Sequence, residues 1–168
     1  MAGVLGRFGF CILSALNSYH SPHSMTNNPF SSADTGEPAT EIVRNQLTVA
    51  REDLLRVHRA LLQVERLRYE KVHGRIANNG LFLQLVIGDP WFDWLRPMGQ
   101  MVLLIDERME DKDAPLGAGE GGALLNRSRE LLRADANGDA FQRLYYQALE
   151  LSPELAVLHG QVSKTHRS

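Results

Sequence analysis

An imidazole, a carboxylate and a phenol fall on the apolar face of the longest helical pattern in this sequence. At 100° per residue, His58, Glu65 and Tyr69 lie on that face or at its edge. Imidazoles and carboxylates bind metals and transfer protons, and a buried ionisable group costs free energy unless it is paired. Together with Asp106, these residues are the candidates for holding a metal or a small ligand between helices.

The same residues also have a purely structural interpretation. His58 and Glu65 are two turns apart, about 10 Å, so they cannot share one metal ion by themselves. One Glu-x-x-His motif ends at His73, whereas a ferritin-like di-metal site needs a second copy and two more carboxylates. In this interpretation His58 hydrogen-bonds another helix, and Glu65 reaches Arg68 or Tyr69.

Other motifs give no indication of a reaction. Residues 117–122 match GxGxxG, but an acidic stretch precedes them and Glu120 would repel a pyrophosphate, so we interpret them as a flexible loop. No Gly-x-Ser-x-Gly elbow occurs, and His159 lies beside Leu155 and Val162 as a structural histidine would. The sequence favours a non-enzymatic protein and predicts no cofactor.

A cluster of aromatic and sulfur-containing side chains follows the break at residues 88–90. Trp91, Trp94, Met98 and Met101 recur at helical spacing. We interpret this aromatic cluster as core, with both tryptophans packed on the apolar face of the long helix. If the cluster reached the surface, it would instead form a partner patch or line an apolar pocket.

The elements that must position these residues are all predicted to be helical. Thr40 is a suitable N-cap, the pattern runs to His73 without Gly or Pro, and Gly74 is a natural stop. About 34 residues would extend about 50 Å, which makes this helix the spine of the fold. Its apolar seam consists of Val43, Leu47, Ala50, Leu54, Val57, Leu61 and Val64.

Shorter helices are predicted to follow the long one. We expect a loop over 110–122 and a kink or a split at Pro97, because proline removes a helical hydrogen bond. The predicted helices cover residues 81–87, 90–105, 123–133, 139–151 and a last segment from 153. The fold class is therefore all-α, a bundle of four to six helices with one long N-terminal helix and a disordered N-terminal tail.

The length and composition of the chain limit the number of domains and the kinds of partner that it can have. With 168 residues, of which 43% are hydrophobic, the chain suits one helical bundle domain over 40–166. Residues 1–39 are either a disordered or docking tail, a short signal peptide, or sequence upstream of a true start at Met25. A net charge of −2 without a basic patch argues against nucleic acid, and no apolar run is long enough to span a membrane. The single Cys11 fits a cytoplasmic protein.

A longer pattern runs through residues 54–107. It reads Leu54-Leu-Arg-Val-His58-Arg-Ala-Leu-Leu62, then Tyr69-Glu70 and Gly74, then Asp89-Pro-Trp-Phe-Asp-Trp-Leu-Arg-Pro97, and ends with Ile105-Asp106-Glu107. This pattern resembles a group of small, all-helical bacterial proteins of unknown function. The resemblance implies a bacterial cytoplasmic protein and favours Met25 as the start, and it brings no activity with it.

Two functions follow from the sequence as hypotheses. In the first, the bundle is a non-enzymatic interaction module, a homo-oligomer or the binder of another protein, which associates through the long helix or the aromatic cluster. In the second, it binds a small ligand or a metal between helices through His58, Glu65, Tyr69 and Asp106.

Overall fold

The computed structural model describes residues 38–166 of the chain. Six α-helices and one short 3₁₀ segment make up the regular structure of this region, which contains no β-strand beyond an isolated bridge between Pro38 and Gly117. The elements are α1 Glu41–His73, α2 Asn79–Gly88, the 3₁₀ segment Pro90–Leu95, α3 Arg96–Glu110, α4 Ala118–Leu131, α5 Ala140–Leu151 and α6 Pro153–Thr165. The predicted all-α class and the long first helix are confirmed. Residues 1–37 of the tail that was predicted over residues 1–39 lie outside the described residues.

Helix α1 begins and ends where the sequence predicts. The Thr40 hydroxyl accepts a hydrogen bond from the Val43 amide, and Gly74 follows the last turn with a φ of 87°, a conformation that favours glycine. Leu47, Leu54 and Leu61 of its seam are completely buried. Helices α3 to α6 and the 3₁₀ segment all pack against α1, whereas α2 rests on the 3₁₀ segment.

Of the two outcomes predicted at Pro97, a kink or a split, the structure shows the split. The residues after Gly88 form two separate helical elements. Asp89 caps the start of the first by accepting the Trp91 amide hydrogen at 2.9 Å, and Pro90 occupies the first position. Residues 90–95 form a 3₁₀ segment instead of the predicted α-helix, and α3 begins at Arg96 with Pro97 in its first turn. Proline is accommodated there because the first amides of a helix have no intrahelical partner.

The predicted loop over residues 110–122 is wrong in its second half, because α4 already begins at Ala118. Glu120, which the sequence analysis placed in a flexible loop, pairs through both carboxylate oxygens with Arg108 of α3. Gly121 is buried against Val43 of α1. The glycine-rich stretch is therefore part of a helix. Its small residues let α4 approach α1 closely.

The described domain also extends slightly upstream of residue 40. The amide of Ala39 donates to the carbonyl of Leu116 at 2.7 Å, which ties the entry of α1 to the segment before α4. Within residues 38–166, no helix combines the length and the apolar character that a membrane crossing requires.

The contact between α4 and α1 yields a prediction on two adjacent glycines. A Cβ at Gly121 would lie 2.6 Å from Cγ1 of Val43, a stiff β-branched side chain, whereas a Cβ at Gly122 meets nothing within 4 Å. We expect Gly121→Ala to lower the free energy of unfolding by about 1–3 kcal/mol, as overpacking does. Gly122→Ala should instead raise it by about 0.5–1 kcal/mol, because alanine is the better helix former.

Urea denaturation of the two variants and of the wild type measures both effects. Equal midpoints for Gly121→Ala and Gly122→Ala would contradict the close approach of α4 to α1.

Candidate functional site

Glu65 is a buried carboxylate, with only 1% of its surface exposed. One of its oxygens accepts from Nη1 of Arg68 at 2.6 Å, and the other accepts from Nε1 of Trp91 at 2.8 Å. Arg68 is one of the two partners, Arg68 or Tyr69, that the structural interpretation of the sequence left open for Glu65. Because both oxygens have donors, Glu65 anchors the 3₁₀ segment to α1.

Glu65 belongs to a cluster of aromatic and polar side chains that we call the junction. The junction consists of Glu65, Arg68, Tyr69, Asp89 and Trp91. The ring of Tyr69 meets that of Trp91 edge-on at 5.7 Å, and the guanidinium of Arg68 lies 5.9 Å from the Trp91 ring. The Tyr69 hydroxyl donates to Asp89 at 3.3 Å. Desolvation and the Asp89 carboxylate raise the pKa of Tyr69, so its phenol stays neutral.

Asp106 is not part of the junction. It forms a two-point ion pair with Arg51 of α1, in which Nε and Nη2 of the arginine each reach one carboxylate oxygen. The hydrogen bond to Asp106 raises the pKa of Arg51 above its usual value. This pair ties α3 to α1 and leaves Asp106 with a structural partner.

His58 is buried on the same face of α1, where Leu54, Leu61 and Leu62 are its buried neighbours along the helix. Among residues 38–166 it forms no hydrogen bond and no ion pair, so the expected bond to another helix is not seen. Burial lowers the pKa of its imidazole to about 4, and the side chain is therefore neutral at pH 7.

The four candidate residues do not converge on one site. Glu65 and Tyr69 belong to the junction, Asp106 pairs with Arg51, and His58 is buried without a hydrogen bond among residues 38–166. Within the described part of the chain, no three His, Cys, Asp or Glu residues are grouped to hold a metal ion.

The aromatic cluster is largely core. Met98 and Met101 are buried, while Trp91 and Trp94 are half-buried. The two tryptophans contact different helices, because Trp91 packs on the end of α1 and Trp94 packs on Phe141 of α5. The deepest anchors of the 3₁₀ segment are instead Phe92 and Leu95, an outcome that α-helical spacing did not predict.

A cleft between α4 and α6 contains functional groups that the sequence analysis did not bring together. It has a volume of about 380 Å³. Its polar lining consists of Arg129, Arg133, His159, Ser163 and His166. Only the four-residue spacing of His159 and Ser163 was visible in the sequence, and that spacing alone is common on helices.

His159 in this cleft has a hydroxyl on each ring nitrogen. Nδ1 lies 2.9 Å from the Tyr145 hydroxyl, and Nε2 lies 3.2 Å from the Ser163 hydroxyl. The order of serine, histidine and an orienting group resembles that of a hydrolase triad.

The proton positions in this arrangement argue against an activated serine. Burial raises the pKa of Tyr145, so its hydroxyl keeps its proton, and a buried hydroxyl proton needs an acceptor. With Tyr145 donating to Nδ1 of His159, Nε2 carries the imidazole proton and donates to Ser163. In that tautomer Nε2 already holds a proton and cannot take one from Ser163.

Comparison of the chain with known protein families, curated proteins and solved structures gives no match. The resemblance of residues 54–107 to small helical bacterial proteins stays a prediction. Function must therefore be inferred from the chemistry and the surfaces of the described residues.

The indole hydrogen bond to Glu65 yields a prediction about stability. Trp91→Phe keeps an aromatic ring but leaves one oxygen of a buried carboxylate without its donor. We expect it to lower the free energy of unfolding by about 1–3 kcal/mol more than Trp94→Phe, whose indole donates no hydrogen bond within residues 38–166. Urea unfolding followed by circular dichroism measures the difference, and equal losses would mean that the bond contributes nothing.

The buried imidazole of His58 yields a prediction about pH. Its folded pKa of about 4 lies below the unfolded value of 6.5, so the unfolded state binds more protons between these pH values. The contribution of neutral His58 is complete above pH 6.5 and falls as the pH drops to 4. The loss should reach about 2–3 kcal/mol near pH 4.5, at 1.36 kcal/mol per pKa unit.

Urea unfolding at neutral and acidic pH tests this titration. His58→Leu should remove most of the difference between the two pH values, and His73→Gln, which alters an exposed histidine of the same helix, should keep it. An unchanged pH dependence in His58→Leu would assign the acid sensitivity to other groups.

Proposed function

We propose that this protein is a non-enzymatic helical interaction module that self-associates through the outer face of α1. We define this outer face by Ile42, Val49, Glu52, Arg59 and Leu67. The observation that carries the proposal is the exposure of its aliphatic side chains: Ile42 is 69% exposed and Leu67 is 61% exposed.

These aliphatic side chains point the same way along the helix. Val49 and Leu67 are five turns apart and share one direction at 100° per residue, and Ile42 differs from them by about 20°. Single exposed aliphatic residues are common on protein surfaces. Three of them in one line, on a flank of α1 about 100° away from the mean direction of its buried seam, favour a surface that a partner covers.

The charges on α1 favour a second copy of this chain as that partner. Exposed Glu41 and Glu52 lie in the N-terminal half of the helix, and exposed Arg59 and Lys71 lie in the C-terminal half. An antiparallel pair of α1 helices that cross between Glu52 and Arg59 would set Glu41 and Glu52 of each copy near Lys71 and Arg59 of the other. Such an arrangement is isologous, because each contact occurs twice about a two-fold axis.

The aliphatic residues fit the same antiparallel register. When Glu52 lies opposite Arg59 of the second copy, Ile42 approaches Leu67 of that copy to within about one helical turn. Apolar contacts at both ends would then flank complementary charges at the centre, a pattern that fixes orientation as well as affinity.

Support for the alternative function, a metal or ligand bound by His58, Glu65, Tyr69 and Asp106, is weaker. Three of these side chains already have polar partners within the fold, and the fourth, His58, is buried. The aromatic cluster is a weaker docking surface than α1, because both of its methionines are buried. A bacterial and cytoplasmic setting is part of this proposal, on the basis of the single cysteine and the resemblance over residues 54–107.

Charge reversal tests the proposed pairing. Glu52→Arg and Arg59→Glu should each weaken the dimer about tenfold, because each places two pairs of like charges at the interface. The double variant exchanges the two charges and should restore dimerisation. Sedimentation equilibrium measures the dissociation constants, and native mass spectrometry reports the subunit number together with any bound metal.

A second pair of variants tests whether association depends on the outer face of α1 or on any exposed aliphatic side chain. Leu67→Glu should abolish the dimer, and Val157→Glu, which alters a 63% exposed aliphatic residue of α6, should not. A wild-type protein that is monomeric at its highest soluble concentration, or a double charge variant that fails to recover, would overturn the proposal.

A further inference from the structure

The turn between α4 and α5 contains an asparagine followed by a glycine, a pair of residues that can react without an enzyme. Asn137 is exposed and lies outside both helices. Its backbone amide donates to the Asp135 carboxylate at 2.9 Å, but its side-chain amide forms no hydrogen bond with residues 38–166. Asparagine is among the chemically labile residues. The side chain of Asn137 is therefore free to turn towards the backbone nitrogen of Gly138.

The same pair of residue types occurs once more within residues 38–166, at Asn79 and Gly80. Asn79 is exposed as well, but it belongs to the first turn of α2. The Asn78 side chain caps this turn at the amide of Leu81, and Nη1 of Arg66 donates to Oδ1 of Asn79 at 3.4 Å. A helical backbone directs the amide of Gly80 along the helix axis, so this turn must open before the side chain of Asn79 can reach it.

The packing of α5 requires a glycine at position 138. Gln142 folds back over the turn, so that a Cβ at Gly138 would lie 2.8 Å from its own Cβ. This conformation completes the cap of α5, because the Gln142 amide donates to the Asp139 carboxylate at 2.8 Å and its side chain accepts from the Asp139 amide at 3.2 Å. Because glycine has no Cβ, its backbone nitrogen is less crowded than that of any other residue.

We propose that Asn137 is a site of spontaneous deamidation. The backbone nitrogen of Gly138 attacks Cγ of Asn137 and gives up its proton. A bond forms between these two atoms, the bond from Cγ to Nδ2 breaks, and ammonia leaves, so that the product is a cyclic succinimide. One water molecule then hydrolyses the ring. Aspartate results when the new bond opens, and isoaspartate results when the original peptide bond opens.

The reaction would weaken the start of α5. The amide of Gly138 donates to the carbonyl of Asp135 at 3.2 Å, and the imide nitrogen of a succinimide has no hydrogen to donate. Isoaspartate adds one carbon atom to the backbone close to the cap residue Asp139. Aspartate instead places a further negative charge beside the Asp135 carboxylate. Each product therefore disturbs the turn that holds the cap of α5 in place.

Peptide mapping by mass spectrometry tests the proposal on the full chain, incubated at neutral and mildly alkaline pH. Each conversion replaces NH₂ by OH and is detected as a rise in mass. In the native protein we expect Asn137 to react about tenfold or more faster than Asn79, because the first turn of α2 must open before Asn79 reacts. In guanidinium chloride the two sites should react at similar rates, because unfolding removes the structural difference between them.

Two results would overturn the proposal. The first is an equal rate at Asn79 and Asn137 in the native protein. The second is an Asn137 that stays intact in the native protein over the time in which the unfolded chain reacts.

A matched pair of variants assigns the reaction to one residue. Asn137→Gln adds a methylene, so that a larger ring would have to close, and it should abolish the reaction in this turn. Asn126→Gln alters an exposed asparagine of α4 that is followed by arginine, and it should leave the rate unchanged. Persistence of the mass change in Asn137→Gln, or its loss in Asn126→Gln, would contradict the assignment.

Thermal unfolding separates the effect of the new charge from that of the altered backbone. Asn137→Asp introduces the carboxylate alone, so we expect the incubated protein, which also contains isoaspartate, to unfold at a lower temperature than this variant. Incubated protein as stable as freshly purified wild type would overturn the inferred weakening of α5. Position 137 lies outside the outer face of α1, so the dissociation constant of the dimer tests the proposed association independently of this modification.

Discussion

The uninterrupted apolar seam of α1 is the constraint on which the other elements depend. Leu47, Leu54 and Leu61 lie on one line of the helix and are completely buried, so neighbouring helices must cover them along most of its length. Four helices and the 3₁₀ segment do so. Helix α1 thus forms one side of the whole core. Any change that shifts a neighbouring helix along α1 therefore disturbs the packing of the fold.

Ionic groups at the borders of this seam fix where each neighbour sits. Asp106 holds α3 through Arg51, Asp53 holds the end of α6 through His166, and Glu65 holds the 3₁₀ segment through Trp91. Dispersion and apolar burial are non-directional, so they permit several registers of one helix on another. A buried or half-buried hydrogen-bonded pair permits one register, because leaving a partner unsatisfied costs free energy.

The parts of the fold that local chemistry specifies could be predicted from the sequence. The ends of α1 at Thr40 and Gly74 follow from capping preferences, and Asp89 with Pro90 marks the start of the next segment. The early start of α4 could not be predicted, because it depends on the pairing of Glu120 with Arg108 of another helix. Glycine-rich sequence is ordinarily a poor helix former, and tertiary contacts override that preference here.

The difference between local and long-range contacts also explains which parts of the candidate sites could be predicted. Glu65 and its partner Arg68 lie three residues apart on one helix, so their contact was predictable from spacing. The second partner of Glu65, Trp91, is distant from it in sequence, and the same is true of Arg129 and His166, which line one cleft. Periodicity within one helix cannot predict that such residues come together.

The fold also divides its charged groups into two classes with different consequences. Carboxylates that face the core have partners within the fold, so they are committed to stability and are poorly suited to exchange those partners for a ligand. Several cations at the surface, among them Arg59 and Arg129, have no carboxylate partner within residues 38–166. Binding to such groups costs no internal ion pair, so the surfaces that carry them can gain a partner or a ligand without loss of folding stability. For this reason the proposed association is placed on the outer face of α1 rather than on the buried histidine and glutamate of that helix.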